Sequence, residues 1–278
     1  TGTTLTALNT ARETAFTSGS AVILDIADAA NVFTVSQVLN QGAGNLVKLG
    51  PGTLVLTASN FYTGTTVLGS AGGSTGGTLR LSGAGRIAGT TGTAAAPLIY
   101  SGTLDTNGSN LTTAGTSAAV AALTLGGGAA ATSAGVTTGA GTLTLAGNVT
   151  FDATNNPAGA TIAGNLSLGN ASRTFTVGDS SGANNDLTIS AAIGSGTVTK
   201  AGVGVLLLTG TNTFSGTTTV SAGILTASST TSLPGWDTGR YSVSTGAVLA
   251  LGSGFDNANV PAVLSGGTFA ANASIGFD

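Results

Sequence analysis

Short apolar runs recur along this chain with hydroxyl-bearing residues set between the apolar ones. Thr53-Leu54-Val55-Leu56-Thr57, Thr142-Leu143-Thr144-Leu145, Asn165-Leu166-Ser167-Leu168 and Leu187-Thr188-Ile189 alternate with a period of two, which turns the leucines and Ile189 to one face and the threonines and serines to water. Leu54, Leu79, Leu104, Leu123, Leu143, Leu166, Leu187, Leu206, Leu225 and Leu249 each sit in such a run, at separations of 25, 25, 19, 20, 23, 21, 19, 19 and 24 residues. A chain that returns to the same kind of strand this often reads as stacked coils, each burying its inward face against its neighbours. The pattern therefore predicts an all-β chain in which residues 1–278 form a single elongated parallel β-helix (β-solenoid). Roughly a dozen coils at about 4.8 Å each would make a rod on the order of 60 Å long.

Two stretches depart from the pattern. Residues 4 to 16, with Leu5, Leu8, Ala11 and Phe16, could form a short helix or a lead-in strand, and Ala118 to Ala122 is rich in a helix former but hemmed in by Gly115 and Gly126-Gly127-Gly128. Turns with positive φ are expected at Gly64, Gly102, Gly108, Gly164, Gly169, Gly178, Gly216 and Gly246. Longer excursions are expected near residues 69–77, 84–97, 152–160, 179–186 and 232–239, leaving mainly from one side of the stack.

Composition narrows the function. Charged residues make up 6% of the chain, against roughly 25% in an ordinary soluble domain, so Thr, Ser, Asn and Gly must carry the contact with water. The 46 Gly follow no three-residue period and only 5 Pro occur, which excludes a collagen-like helix. Net charge is −3, and Arg12, Lys48, Arg80, Arg86, Arg173, Lys200 and Arg240 are scattered, so no basic patch for nucleic acid can be drawn. Mean hydropathy is +0.40, yet no stretch nears the ~18 consecutive apolar residues of a spanning helix. A membrane barrel fits poorly, since the runs are short and the aromatic girdles are missing; no membrane insertion of this segment is expected. Cysteine is absent, which removes disulfides and thiolate chemistry. The chain begins at Thr1 without an initiator Met, which is the expectation for a piece excised from something longer.

The clearest internal match joins residues 48–64 to residues 200–216. Lys48-x-Gly50-x-Gly52-x-Leu54-x-Leu56-Thr57, then Asn60, Tyr62 and Gly64, matches Lys200-x-Gly202-x-Gly204-x-Leu206-x-Leu208-Thr209, then Asn212, Phe214 and Gly216. The two fuller copies span 45–81 and 196–227, the first carrying an insertion at Ser70 to Gly76. The pattern K-x-G-x-G-x-L-x-L-T-x-x-N-x-[YF]-x-G resembles the autotransporter-associated β-strand repeat, also called the passenger-associated transport repeat, of large secreted or surface-displayed bacterial proteins. The resemblance implies a right-handed parallel β-helix and an extracellular or outer-surface location, with an export route that is inferred because the usual outer-membrane barrel is not in this sequence.

The motif residues also have a reading from physics alone. Gly50 and Gly52 flank Pro51 and suit a sharp turn before the Leu54-x-Leu56 strand. Asn60 and Asn212 suit a left-handed corner in which the amide bonds its own backbone, or an amide ladder between coils, with ligand binding as the other reading. Lys48 and Lys200 are expected to lay their stems on the core while the ammonium reaches water. Tyr62 and Phe214 read as apolar plugs at a strand end, or as surface aromatics facing a sugar.

Candidate chemistry is sparse. With no His, Ser-His-Asp catalysis and most zinc sites are excluded. The acids are Glu13, Asp25, Asp28, Asp105, Asp152, Asp179, Asp186, Asp237, Asp256 and Asp278; none is paired locally, although residues from different coils could meet. The polar loop Asp179-Ser-Ser-Gly-Ala-Asn184-Asn185-Asp186 offers oxygens for calcium near Asp179, Asn184 and Asp186, without a recognised ligand spacing, and a solvated turn is the plainer reading. Trp236 either packs on a coil flank or presents a recognition surface. Ice binding would need a regular Thr-x-Thr lattice, and no such register is visible. The sequence thus predicts no catalytic, cofactor-binding or metal residues. It predicts a structural or adhesive segment that extends from or coats a bacterial surface and contacts copies of itself end to end, with a surface polysaccharide or a host ligand as a further partner. A polysaccharide lyase or glycosidase on the same scaffold is the alternative.

Overall fold

The computed structural model describes residues 20–39, 44–62, 64–87, 93–95, 97–114, 122–129, 133–156 and 158–277. Both stretches singled out as possible helices, residues 4–16 and 118–122, lie outside these except for Ala122, which is in neither helix nor strand.

Every strand pairing among the described residues is parallel. One ladder begins at Ala21–Asp25 and passes through Asn45–Leu49, Thr66–Leu68, Leu98–Ile99, Leu123–Gly126, Val149–Asp152, the ends of the long strands Ala160–Val177 and Ala192–Ala201, then Thr218–Val220, Tyr241–Val243 and Thr268–Phe269. A second begins at Val32–Val35 and passes through Thr53–Leu56, Thr78–Leu81, Gly102–Asp105, the starts of Ala134–Thr144 and Ala160–Val177, then Leu187–Ile189, Val205–Leu208, Ile224–Ser229, Val248–Gly254 and Ser274–Phe277. Among the described residues each of these two ladders holds eleven strands, and together they make a parallel β-solenoid, as expected. At about 4.8 Å per step the described stack is near ~50 Å long. Parallel pairing throughout is also what an antiparallel membrane barrel lacks. No helix among the described residues is long and apolar enough to cross a membrane.

A third ladder closes the middle coils through Thr93–Ala95, Leu111–Ala114, residues 142–144, 165–167 and 192–194. This side explains why the leucine spacing overcounts coils. Leu54, Leu79 and Leu104 are true ladder partners, but the partner of Leu104 in the next coil is Val136, followed by Ile162 and Ile189. Leu123 belongs to the first ladder, and Leu143 and Leu166 pair on the third. In the middle of the chain the spacing of about 20 residues is the step to another side, and the series returns to the second ladder at Leu187, Leu206, Leu225 and Leu249.

The inward columns are almost wholly apolar. Leu54, Leu79, Leu104, Ile162, Ile189 and Leu208 are completely buried, as are Leu123, Val149 and Phe175 on the first side. Outward positions carry Thr53, Thr78, Thr103, Thr161 and Thr188, so strand alternation converts directly into a leucine interior and a hydroxyl exterior. Near the C-terminal end a short helix, Val260–Gly266, follows the second ladder, started by Pro261 in its first turn and anchored by buried Val263. The Tyr241 hydroxyl donates to the Val263 carbonyl and so ties that helix to the stack.

Three of the expected excursions, around 69–77, 152–160 and 179–186, leave at the corner between the first and second ladders. Gly102, Gly108, Gly164, Gly169 and Gly246 take positive φ, whereas Gly64, Gly178 and Gly216 do not. At Gly64 and Gly216 the requirement is space: a Cβ would stand 2.3 Å from the Gly44 carbonyl oxygen and 2.1 Å from the Thr197 hydroxyl.

Candidate functional site

The two motif copies build the same corner between the first and second ladders. Lys48 and Lys200 stand in inward columns, opposite Leu24 and Leu68 in one case and Phe175 and Val220 in the other, and both are completely buried. Their ammonium groups therefore do not reach water, contrary to the expectation from the sequence. Lys48 Nζ donates to the carbonyls of Leu49 (2.7 Å), Gly50 (2.8 Å) and, from the following coil, Gly76 (3.1 Å). Lys200 Nζ repeats the set with Ala201 (3.0 Å), Gly202 (2.7 Å) and Ala222 of the next coil (3.0 Å). The tight corner turns its carbonyls inward, and three acceptors around one point offset the burial of a cation that would otherwise snorkel.

Gly50 and Gly202 make that corner possible with φ of 77° and 79°, a conformation that costs other residues dearly. Gly52 and Gly204 are needed for close approach, since a Cβ would lie 2.3 Å from Ile26 Cγ2 and 2.2 Å from the Gly178 carbonyl oxygen. The strands that follow bury Leu54, Leu56, Leu206 and Leu208 completely. Loss of hydration lowers both lysine pKa values to about 8, against the partial support of the Asp25 charge for Lys48 and of Asp186 for Lys200. Arg173 serves a similar purpose one side away, donating to Leu168 O (3.0 Å) and to Leu145 O of the preceding coil (2.8 Å).

Asn60 and Asn212 are not in left-handed corners, and neither bonds its own backbone. Asn60 Oδ1 accepts the Leu39 N–H of the coil before (2.8 Å) while Nδ2 donates to Arg86 O of the coil after (2.7 Å). Asn212 does the same between Ile193 N–H (2.8 Å) and Ser232 O (2.7 Å). Each amide is thus a clamp across three coils. Left-handed corners fall instead to Asn107, Asn155, Asn170 and Asn272. Tyr62 and Phe214 are both buried, which makes them interior plugs, and the Tyr62 hydroxyl bonds the Thr66 hydroxyl at 2.7 Å.

The acids are mostly spent on turns. Asp28, Asp105, Asp152 and Asp256 each accept the backbone N–H two residues on, and Asp105 also pairs with Arg80 in the adjacent coil at 2.8 Å. Asp186 is completely buried, with one carboxylate oxygen on Ser180 N–H (2.6 Å) and the other on Val205 N–H (2.7 Å). Of the candidate calcium loop this leaves Asp179 and Asn184 toward solvent, and among the described residues no three acidic side chains converge as a metal cluster. Glu13 and Asp278 lie outside the described residues. Trp236 packs edge-on against Phe255, with centroids 5.9 Å apart, on the flank of the stack.

Sequence reasoning also missed a groove of about 610 Å³ beside the corner between the first and second ladders, lined by Thr124, Thr150 and Thr176 together with Asp152, Asp179 and Val203. Its residues come from four coils, so no local motif announces it.

The model of the passenger-associated transport repeat matches the chain at residues 46–73, 136–155 and 198–227, while no curated protein and no solved structure is matched. The first and last matches are the two copies described above. The middle one, unrecognised from the sequence, reads Gly139-x-Gly141-x-Leu143-x-Leu145 with Phe151, and has Thr137 where the others have lysine and Val149 where they have asparagine. It turns the next corner of the solenoid, from the second ladder to the third, and there the buried Thr138 hydroxyl accepts Asn165 N–H of the next coil at 2.8 Å. Three segments that match this repeat are thus set on one parallel β-solenoid, which supports an autotransporter passenger-repeat protein.

Proposed function

We propose that this chain is a non-catalytic, extracellular structural and adhesive segment of a bacterial surface passenger. The observation that carries the reading is the use of the motif itself: its lysines, asparagines and glycines are consumed in joining one coil to the next. Such a molecule extends a surface and presents its corner loops and outer strand faces to partners. Those partners are further copies of the chain, stacked end to end, and a surface polysaccharide or host ligand. Protease accessibility of the epitope-tagged parent protein on intact cells tests the location: rapid loss of the tagged segment is expected, and full protection would refute an outer-surface role. Light scattering on the isolated chain tests the association, with mass rising with concentration as the expected result and a constant monomer as the opposing one.

The groove that holds both Asp152 and Asp179 favours a second reading, a polysaccharide-degrading enzyme. New reducing ends released from a defined polysaccharide, and lost in Asp152→Asn or Asp179→Asn, would establish it in place of the first.

A further inference from the structure

We propose that the groove beside the first-to-second corner binds an uncharged glycan strand lying along the solenoid axis. This deepens the adhesive reading and rests on it for the absence of turnover. Thr124, Thr150 and Thr176 are direct ladder neighbours, so the groove carries one outward hydroxyl per coil in a straight row. At about 4.8 Å per step the row offers a repeating contact to a repeating ligand. Along its edge stand the carboxylates of Asp152 and Asp179, from successive coils. Asp152 faces its ladder partner Gly126, and Gly178 follows in the coil after, so no side chain closes the groove on either side of it. Val203, 73% exposed, supplies an apolar patch at the end.

The chemistry selects the ligand. A sugar chain presents hydroxyl donors and acceptors at regular intervals, and a carboxylate accepting from a hydroxyl makes one of the stronger hydrogen bonds open to an uncharged partner. No lysine or arginine lines the groove, so a uronate, sulfate or phosphate group would meet two negative charges without compensation. A protein segment would be expected to want large apolar anchors, and the outward side chains here are hydroxyl and carboxylate with only the small Ala153 and Val203 as apolar ones.

Calorimetric titration of the isolated chain with cellohexaose, maltohexaose, laminarihexaose and an anionic oligogalacturonate tests the proposal. Saturable binding of at least one neutral hexasaccharide is expected, at about millimolar Kd or tighter. Asp152→Asn and Thr150→Lys should each weaken it about tenfold or more, whereas Thr219→Lys, on the same face but outside the groove, should leave it unchanged. Circular dichroism of each variant confirms that it is folded. Absence of binding to all three neutral sugars, equal binding by the groove variants, or preference for oligogalacturonate would overturn the assignment. Because the readout is a solution affinity, it holds or fails independently of surface display and of end-to-end association.

Discussion

Thr218 occupies the place in the last repeat that Thr66 occupies in the first, eighteen residues after its lysine and completely buried. Thr66 shares its hydroxyl with Tyr62, but the corresponding aromatic in the last copy is Phe214, and the Thr218 hydroxyl has no partner. A buried unsatisfied hydroxyl costs about 1–3 kcal/mol. Phe214→Tyr is therefore expected to stabilise the chain by about 1 kcal/mol, read as a higher midpoint in urea, and a lower midpoint would show that the interior there has no room for the extra oxygen. The buried lysines give a second expectation. Their folded pKa of about 8 lies below the ordinary 10.5, so between those values the folded chain holds fewer protons than the unfolded one. Stability contributed by these groups is then level below pH 8 and rises as pH climbs toward 10.5. Comparing urea midpoints of the parent with those of Lys48→Met and Lys200→Met between about pH 7 and about pH 10 isolates the effect, because tyrosines titrate in all three. The parent should gain relative to both variants as pH rises, and parallel curves would place the ammonium groups in water after all.

At the scale of the coil, cohesion comes from side chains that bond the backbone above and below. Replacing Asn212 by Ala strands the Ile193 N–H and the Ser232 carbonyl together, which should cost about 2–4 kcal/mol. Asn184→Ala on an exposed turn should stay within about 0.5 kcal/mol, and equal losses in the two would argue against a clamp. How legible these coils were in the sequence depends on the question asked. Alternation in Thr53–Leu56 and Leu187–Ile189 correctly separates inward from outward residues, because a strand has only two faces. It does not say which side of the solenoid a strand occupies, so Leu123 and Leu143 entered a series to which they do not belong. The corner lysines misled for another reason: snorkelling is the cheaper fate of a lone ammonium, and only the folded corner brings Gly50 O and Gly76 O to one point. The groove was illegible because its threonines are 26 residues apart and acquire a common row only through ladder register.

For the whole molecule, a stack held by nearest-neighbour contacts should tolerate loss of one complete coil and resist loss of almost one. Val205 pairs with Ile224 and Val198 with Thr218, which in turn faces Tyr241. Removing residues 205–223 joins Gly204 to Ile224, sets Leu225 over Leu187, and leaves Tyr241 free to take the place of Thr218 over Val198. Every inward residue stays inward, and the shortened chain should give the parent's strand signal by circular dichroism and one cooperative thermal transition, at somewhat lower temperature. Removing residues 205–222 differs by a single residue, yet it places Ile224 where Leu206 was and turns Leu225 outward. Because side-chain direction alternates with every residue, this one-residue slip exposes the leucines of all following strands unless a bulge absorbs it. That variant should aggregate or melt well below the first. Indistinguishable melting of the two deletions would mean that ladder register is not what holds the solenoid together.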